Sequence, residues 1–323
     1  MATERNESRS VPYLSRAALE ALPIDPGDVI ARIEQLLRAQ RRERAWAAPK
    51  ALILPPDGRY MMATLSAADD PPFLAVKSLV MNPLNRERGL DDINALVTLL
   101  DSVTGLPLAV MDGNWVTAVR TAGLSATAAR RLARADSSIL ALIGCGVQAR
   151  SHLAAMRALF PIAEVRAFGR GAANREALCR VVENAGLKAV GCTEAEDAVQ
   201  GADIVVTTVT FSATLKPFLD AQWLKSGAFA AITEDLAVPW RPESLTAFDR
   251  IIVGDLDQDA RSDRPLIDPA LVRGDLTTLV NDESQGRLSA EERTAFAFRG
   301  LAIGDLALAG LAYEKAVGGA RLA

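Results

Sequence analysis

The chain has 323 residues, half of them apolar, with 36 Lys and Arg against 40 Asp and Glu for a net charge of −4. That length predicts two domains of about 150 residues each, and the acidic balance argues against nucleic acid or an anionic membrane as the main partner. No apolar run approaches the roughly 18–20 residues that span a bilayer; three cysteines without metal-ligand spacing, one histidine and a polar N-terminus without a signal-peptide core predict a cytoplasmic protein with no metal centre.

Residues 1–10 read as a loose tail. The stretch 25–44 has Val29, Ile30, Ile33, Leu36 and Leu37 on one helical stripe, with a solvated basic end. Short apolar runs at 51–54, 73–81 and 95–100, each bounded by turn residues, predict strands of an antiparallel or mixed sheet. An Ala-rich helix is expected over 121–134. The continuous apolar run 138–143 then has the character of a buried parallel strand. A turn at Gly144-Cys-Gly146 and a helix over 148–159 follow it. Strands at 164–168, 188–190, 203–209, 228–232 and 250–253, with helices at 174–185 and 195–200, predict βαβ units with right-handed crossovers. The small-residue-rich stretch 294–317 reads as a helix that returns to the N-terminal region. The expected fold class is α/β: a Rossmann-type parallel-sheet domain over 121–295, and a discontinuous α+β domain made of 1–120 with 296–323.

The sharpest local motif is Gly144-Cys-Gly146-Val147-Gln148-Ala149, between a strand and a helix as a GxGxxA dinucleotide fingerprint requires. Gly144 allows the tight turn, Gly146 lets the backbone approach a pyrophosphate, and Ala149 permits close helix packing. The helix N-terminus offers N–H donors to phosphates. The plain alternative is a strand–turn–helix whose small residues only pack. About 20 residues on, where NAD sites carry an acid, the second turn reads Phe168-Gly169-Arg170-Gly171. An arginine there suits a 2′-phosphate, favouring NADP over NAD; alternatively Arg170 faces solvent and NAD binds through its pyrophosphate. Asp255, Asp257, Asp259 and Asp263 resemble the start of a calcium loop but lack its glycine and closing glutamate, so they read as a solvated acidic loop. His152 reads as structural and Cys145 as a packing residue.

Six ordered motifs resemble the ornithine cyclodeaminase/μ-crystallin family. They are Arg120-Thr-Ala-Gly-Leu-Ser-Ala126, Leu132-Ala-Arg134-Ala-Asp136, Ile143-Gly-Cys-Gly-Val-Gln-Ala149, Ala202-Asp-Ile204, Gly286-Arg-Leu-Ser289 with Thr294-Ala-Phe296, and Gly300-Leu-Ala-Ile-Gly-Asp305. The resemblance runs from about residue 49 to residue 316. It implies a homodimer formed through the discontinuous domain, which also binds substrate. It further implies hydride transfer between nicotinamide and the Cα–N bond of an amino or imino acid.

Residue by residue, the resemblance implies that Lys77 binds the substrate carboxylate and polarises the reacting centre. Arg120 would lie between that carboxylate and the cofactor, where a guanidinium fork suits bidentate recognition. Thr121, Val147 and Gln148 would meet the phosphates, and Thr207, Thr208 and Val209 would border the nicotinamide. Asp235 aligns with the family's proton-handling aspartate, although Glu234 beside it is an alternative and the Pro-Gly-Lys-type turn that commonly follows is replaced by Ala237-Val-Pro239-Trp240. Lys50 stands where the family has a first carboxylate arginine, and Asp92 where a threonine often contacts cofactor. Arg299 replaces a small residue near nicotinamide and substrate. It would repel an ornithine ammonium and accept a second carboxylate, or else pair with Asp305 or another acid.

The resulting expectation is an NAD(P)H-dependent imine reductase or amino-acid dehydrogenase acting on a small amino or imino acid, such as the dicarboxylic iminosuccinate. The alternatives are an ornithine cyclodeaminase-type ammonia lyase with bound NAD, and a non-catalytic μ-crystallin-like binding protein.

Overall fold

The computed structural model describes residues 10–210, 215–234, 239–261 and 265–318. In chain order the first part contains β1 (Tyr13–Leu14), α1 (Arg16–Glu20), α2 (Pro26–Arg41), β2 (Ala45–Ala47), β3 (Ala51–Ile53), β4 (Tyr60–Ala68), β5 (Phe73–Met81), β6 (Ile93–Asp101) and β7 (Pro107–Asp112). These strands form one mixed sheet in the order β1-β7-β6-β5-β4-β2, with β3 also pairing to β4. Only β1 is parallel to its neighbour. Because side chains alternate across a strand, Phe73, Ala75, Lys77, Leu79 and Met81 of β5 turn inward, while Ser78 and Val80 face outward.

The long helix α3 (Gly113–Leu132) leads into β8 (Ile139–Ile143), α4 (Val147–Arg157), β9 (Glu164–Phe168), α5 (Ala172–Asn184), β10 (Lys188–Cys192), α6 (Ala195–Val199), β11 (Ile204–Thr207) and β12 (Phe229–Ile232). After these come β13 (Arg250–Val253), α7 (Leu256–Ala260), β14 (Val272–Asp275), α8 (Leu276–Asn281), β15 (Thr294–Ala297) and α9 (Ala302–Ala316). The second sheet runs β10-β9-β8-β11-β12-β15-β13-β14, and all its pairings are parallel. The chain reverses direction across this sheet between β8 and β11, the switch point where doubly wound sheets open a crevice for ligands. α9 returns to pack on α2, α3 and the first sheet, and α3 touches both sheets. Among the described residues no helix is long and apolar enough to cross a membrane.

Several expectations change. Residues 294–297 form β15, inserted between β12 and β13, so the chain leaves the parallel sheet after residue 297 rather than at 296. A four-residue apolar run is ambiguous between buried strand and buried helix, and here two flanking strands decide it. α3 begins at Gly113, so Arg120 and Thr121 lie within it and it crosses the expected division at 120. β4 and β7 went unrecognised because polar Thr64 and Ser66 on the buried face of β4 obscure its alternation, and β7 is short. The acidic stretch is not a loop. Its Asp255 accepts from the Gln258 N–H and caps α7, while Asp263 lies outside the described residues.

Candidate active site

At the β8–α4 turn, Gly144 has φ +106°, and a Cβ there would lie 2.5 Å from the Thr208 carbonyl oxygen. Only glycine fits that backbone and that approach. The Thr208 N–H donates to the Ile143 carbonyl at 2.7 Å, drawing the end of β11 against the turn. Gly146 is the N-cap of α4 and supplies no side-chain cap; a Cβ on it would meet nothing within 4 Å. The first N–H groups of α4 therefore face open space, and Val147 is exposed beside them. A Cβ on Gly169 would fall 2.9 Å from Cys145 Sγ, so the turn after β9 abuts the first turn. Arg170 is exposed there, and Arg175 Nη1 donates to the Gly169 carbonyl at 3.3 Å. Burial pushes the Cys145 thiol up to about 11, in keeping with a packing role. His152 is wholly buried between the Gln148 carbonyl and the Ser125 hydroxyl, and burial lowers its imidazole to about 4.

The charged half of the site is built on the first sheet and on α9. Residues 302–312 of that helix are buried on every side, which suits an Ala/Leu-rich helix. The one charge among them is Asp305. Its Oδ1 lies 2.8 Å from Lys77 Nζ and 3.0 Å from Arg120 Nε, and its Oδ2 accepts from Thr64 Oγ1 at 3.1 Å. Burial alone would raise the Asp305 carboxyl, but the Lys77 and Arg120 charges with their hydrogen bonds hold it below the usual range. Burial and the neighbouring Arg120 charge bring the Lys77 amine down to about 8. Gly300, at φ +73°, lies against Arg120: a Cβ would come 3.0 Å from Nη1. Lys50 Nζ donates to the Arg299 carbonyl. The Arg299 guanidinium pairs with Asp259 Oδ1 at 3.3 Å and not with Asp305, so its charge is already matched by an acid.

These two halves face each other across a cavity of about 250 Å³. The first sheet contributes Thr64 and Lys77, flanked by an apolar wall of Met62, Leu79 and Met81. α3 and α4 bring Thr117, Arg120, Thr121 and Gln148. The parallel sheet supplies Thr208, Val209 and Glu234. Lys50, Arg299 and Asp305 complete the charged wall. Apart from Arg120 Nε and Arg299 Nε, which lie in ion pairs with Asp305 and Asp259, three buried polar atoms on this lining have no hydrogen-bond partner among the described residues: Arg120 Nη1, Thr117 Oγ1 and Gln148 Oε1. Buried polar groups are normally satisfied, so a cluster of orphans marks a place for a polar ligand. The Thr121 hydroxyl, by contrast, donates to the Thr117 carbonyl at 2.7 Å.

Of the residues singled out in the sequence, Lys50, Lys77, Arg120, Thr121, Gln148, Thr208, Val209 and Arg299 share this one cavity. Gly144, Gly146 and Val147 form the adjoining turn. Thr207 is not on the wall: fully buried, it donates to Glu234 Oε2 at 2.7 Å. Asp235 lies outside the described residues. Asp92 is half-buried and off the cavity lining, its carbonyl accepting from the Asn82 N–H. Asp305 was missed as a site residue, although its signal was legible: one carboxylate in an otherwise apolar helix must find buried cations.

The family model for the ornithine cyclodeaminase/mu-crystallin family matches residues 20–320. The alanine dehydrogenase of Archaeoglobus fulgidus is 31% identical over 94% of this chain and 94% of its own length. The ketimine reductase mu-crystallin of Mus musculus is 32% identical over 79% of each chain. Among solved structures, the Thermococcus litoralis Δ1-pyrroline-2-carboxylate reductase in complex with NADH and L-proline superposes with a TM-score of 0.89 at 27% identity, covering 95% of this chain and 98% of that one. A matching family model over nearly the whole chain, with relatives of this similarity, makes the chain a member of the ornithine cyclodeaminase/mu-crystallin family.

Proposed function

We propose that the protein is a nicotinamide-nucleotide-dependent oxidoreductase that reduces the C=N bond of a small α-imino acid, or oxidises the corresponding amino acid. The observation that carries this reading is Arg120 Nη1, buried and unpartnered among the described residues beside buried Lys77, on a cavity that adjoins the Gly144 turn. With one Asp305 carboxylate between two cations, this wall carries an excess positive charge that a substrate carboxylate would neutralise. A guanidinium and an ammonium together fix such a carboxylate in orientation as well as position. The glycine turn, the uncapped α4 N-terminus and the orphaned Gln148 and Thr117 oxygens fit a dinucleotide. When bound, the nicotinamide supplies or accepts the hydride. The relatives named as alanine dehydrogenase and ketimine reductase, and the NADH bound in the pyrroline-carboxylate reductase, support the same chemistry.

Asp235 is assigned the proton at the substrate nitrogen, in line with its place in the family motif. Arg170, exposed at the second turn with Arg175 behind it, supports a 2′-phosphate and hence NADP over NAD. Met62, Leu79 and Met81 favour a compact apolar or cyclic substrate side chain. A dicarboxylic imine is the second reading, favoured by Arg299 on the lining. A homodimer through the first sheet is supported by its outward apolar side chains Leu65, Val80 and Leu96, which a second copy would cover.

The test offers the protein NADPH or NADH with methylamine and pyruvate, glyoxylate or oxaloacetate, and separately a cyclic ketimine carboxylate. Consumption of reduced nucleotide fastest with a monocarboxylic or cyclic imine is the expected result. Preference for oxaloacetate with amine would move the assignment to the dicarboxylic imine. Ammonia release from ornithine with catalytic NAD, and no reductase activity, would replace it with the cyclodeaminase.

A further inference from the structure

Glu234 is a buried carboxylate on the cavity lining for which the chemistry above has no use. It lies two residues past the end of β12, and its two oxygens are held at the end of β11 and just beyond it: Oε1 accepts from the Val209 N–H at 2.8 Å and Oε2 from Thr207 Oγ1 at 2.7 Å. Thr233 ties the same strand ends together by donating to the Thr207 carbonyl at 2.7 Å. The carboxylate thus props the segment Thr208–Val209, which forms the wall above the glycine turn. Among the described residues no cation bonds it directly. The charged groups that share its cavity are Lys50, Lys77, Arg120 and Arg299, with Asp305 as the other anion among the described lining residues. Asp305 lies between Lys77 and Arg120, and Asp259 pairs with Arg299.

The support around Glu234 accommodates either charge state. When ionised, it receives the Thr207 hydroxyl proton and the Val209 N–H. When protonated, its own O–H donates to Thr207 Oγ1, whose proton can turn toward the Ala231 carbonyl at 3.5 Å, while the other oxygen still accepts from Val209. Changing charge therefore costs little in hydrogen bonding. Burial pushes this carboxyl up to about 7, so both forms are populated near neutrality.

We propose that Glu234 is a positioning residue with a switchable charge, which holds the Thr208–Val209 wall in both states and, when ionised, favours the oxidised, cationic nicotinamide over the neutral reduced form. This rests on the reading of the cavity as a nicotinamide nucleotide site. A unit charge on the wall of the cavity that would hold the ring, at a protein's effective dielectric, would change relative affinity by about tenfold.

The experiment measures dissociation constants of the oxidised and reduced nucleotide, by calorimetry, at about pH 6 and about pH 8.5, either side of the Glu234 midpoint. The wild type is expected to shift its preference toward the oxidised form by about tenfold on going to the higher pH. Glu234→Gln, whose amide can still accept from Val209 and donate to Thr207, is expected to lose about tenfold of that shift, leaving only the change that the Lys77 amine on the same lining makes as it titrates near 8. Thr207→Val, which removes the hydroxyl donor to the carboxylate, is expected to move the wild-type transition to higher pH. A wild-type preference that stays flat, or a Gln variant that keeps the shift, would overturn the switch while leaving the nucleotide site intact. Failure of either nucleotide to bind wild type would overturn the underlying reading of the site, and the switch with it.

Discussion

The two sheets contribute to the cavity in opposite ways. The central strands of the parallel sheet are buried on both faces and offer ligands mainly backbone: the Gly144 turn, the bare N-terminus of α4 and the ends of β11 and β12. The mixed sheet has one inward face with polar Thr64, Ser66 and Lys77 among apolar neighbours; Thr64 and Lys77 reach the Asp305 carboxylate on α9, and Ser66 donates to the Ala302 carbonyl there. One half therefore recognises a ligand by shape and N–H dipoles, the other by fixed charge. A turn tolerates change as far as its backbone permits; a buried charge cluster fails when one member is lost.

That contrast predicts the largest effect at Asp305. Asp305→Ala leaves Lys77 and Arg120 charged, buried and adjacent, and is expected to cost about 3–5 kcal/mol in denaturant unfolding. A loss below about 1 kcal/mol would mean the cluster is not held by this carboxylate.

On the other side, His152 on the buried face of α4 predicts sensitivity to acid. Its folded pKa, about 4, lies below the unfolded value, so the stability it contributes is present above about pH 6.5 and is lost as pH falls toward 4. The loss is expected to reach roughly 3 kcal/mol, and His152→Gln should flatten the wild-type decline in melting temperature over that range.

Gly144→Ala tests the turn itself. The positive φ and the 2.5 Å approach to Thr208 predict a destabilisation of about 1–3 kcal/mol and a loss of nucleotide affinity, with far-ultraviolet dichroism unchanged. Unaltered affinity would remove the turn from the binding site.

A smaller effect belongs to Lys77. Its amine titrates near 8, so substrate carboxylate binding is expected to be strongest below that pH. KM should rise about tenfold for each unit above it. The smallest effect is expected at Asp259. Asp259→Asn releases the Arg299 guanidinium from its acid and should raise kcat/KM for a dicarboxylic imine a few-fold relative to a monocarboxylic one. No change in that ratio would mean Arg299 does not reach the substrate.

The parallel sheet was the more legible half in the sequence. A strand buried on both faces is a continuous apolar run, so Arg250–Val253 matches the predicted bounds; Glu164–Phe168, whose burial alternates, matches them too, and the glycine turn is a local signal. β15 escaped because Thr-Ala-Phe-Ala is too short to carry a period. The charged half was harder to read. Lys77 stood out by its apolar flanks, but its partner Asp305 is 228 residues away and known only through the fold. Glu234 was legible as a candidate. Its ties to Thr207 and Val209 depend on β11 and β12 being neighbours, which sequence spacing does not encode.

The central claim is hydride transfer between nicotinamide and a substrate carbon held by Arg120 and Lys77. It is tested most directly by supplying reduced nucleotide carrying deuterium at nicotinamide C4, with the best imine substrate, and locating the label in the amino-acid product by mass spectrometry and NMR. The account predicts one deuterium at Cα, and loss of that product in Arg120→Ala with nucleotide still bound. Product formed without deuterium at Cα, or label transfer undiminished in Arg120→Ala, would contradict it.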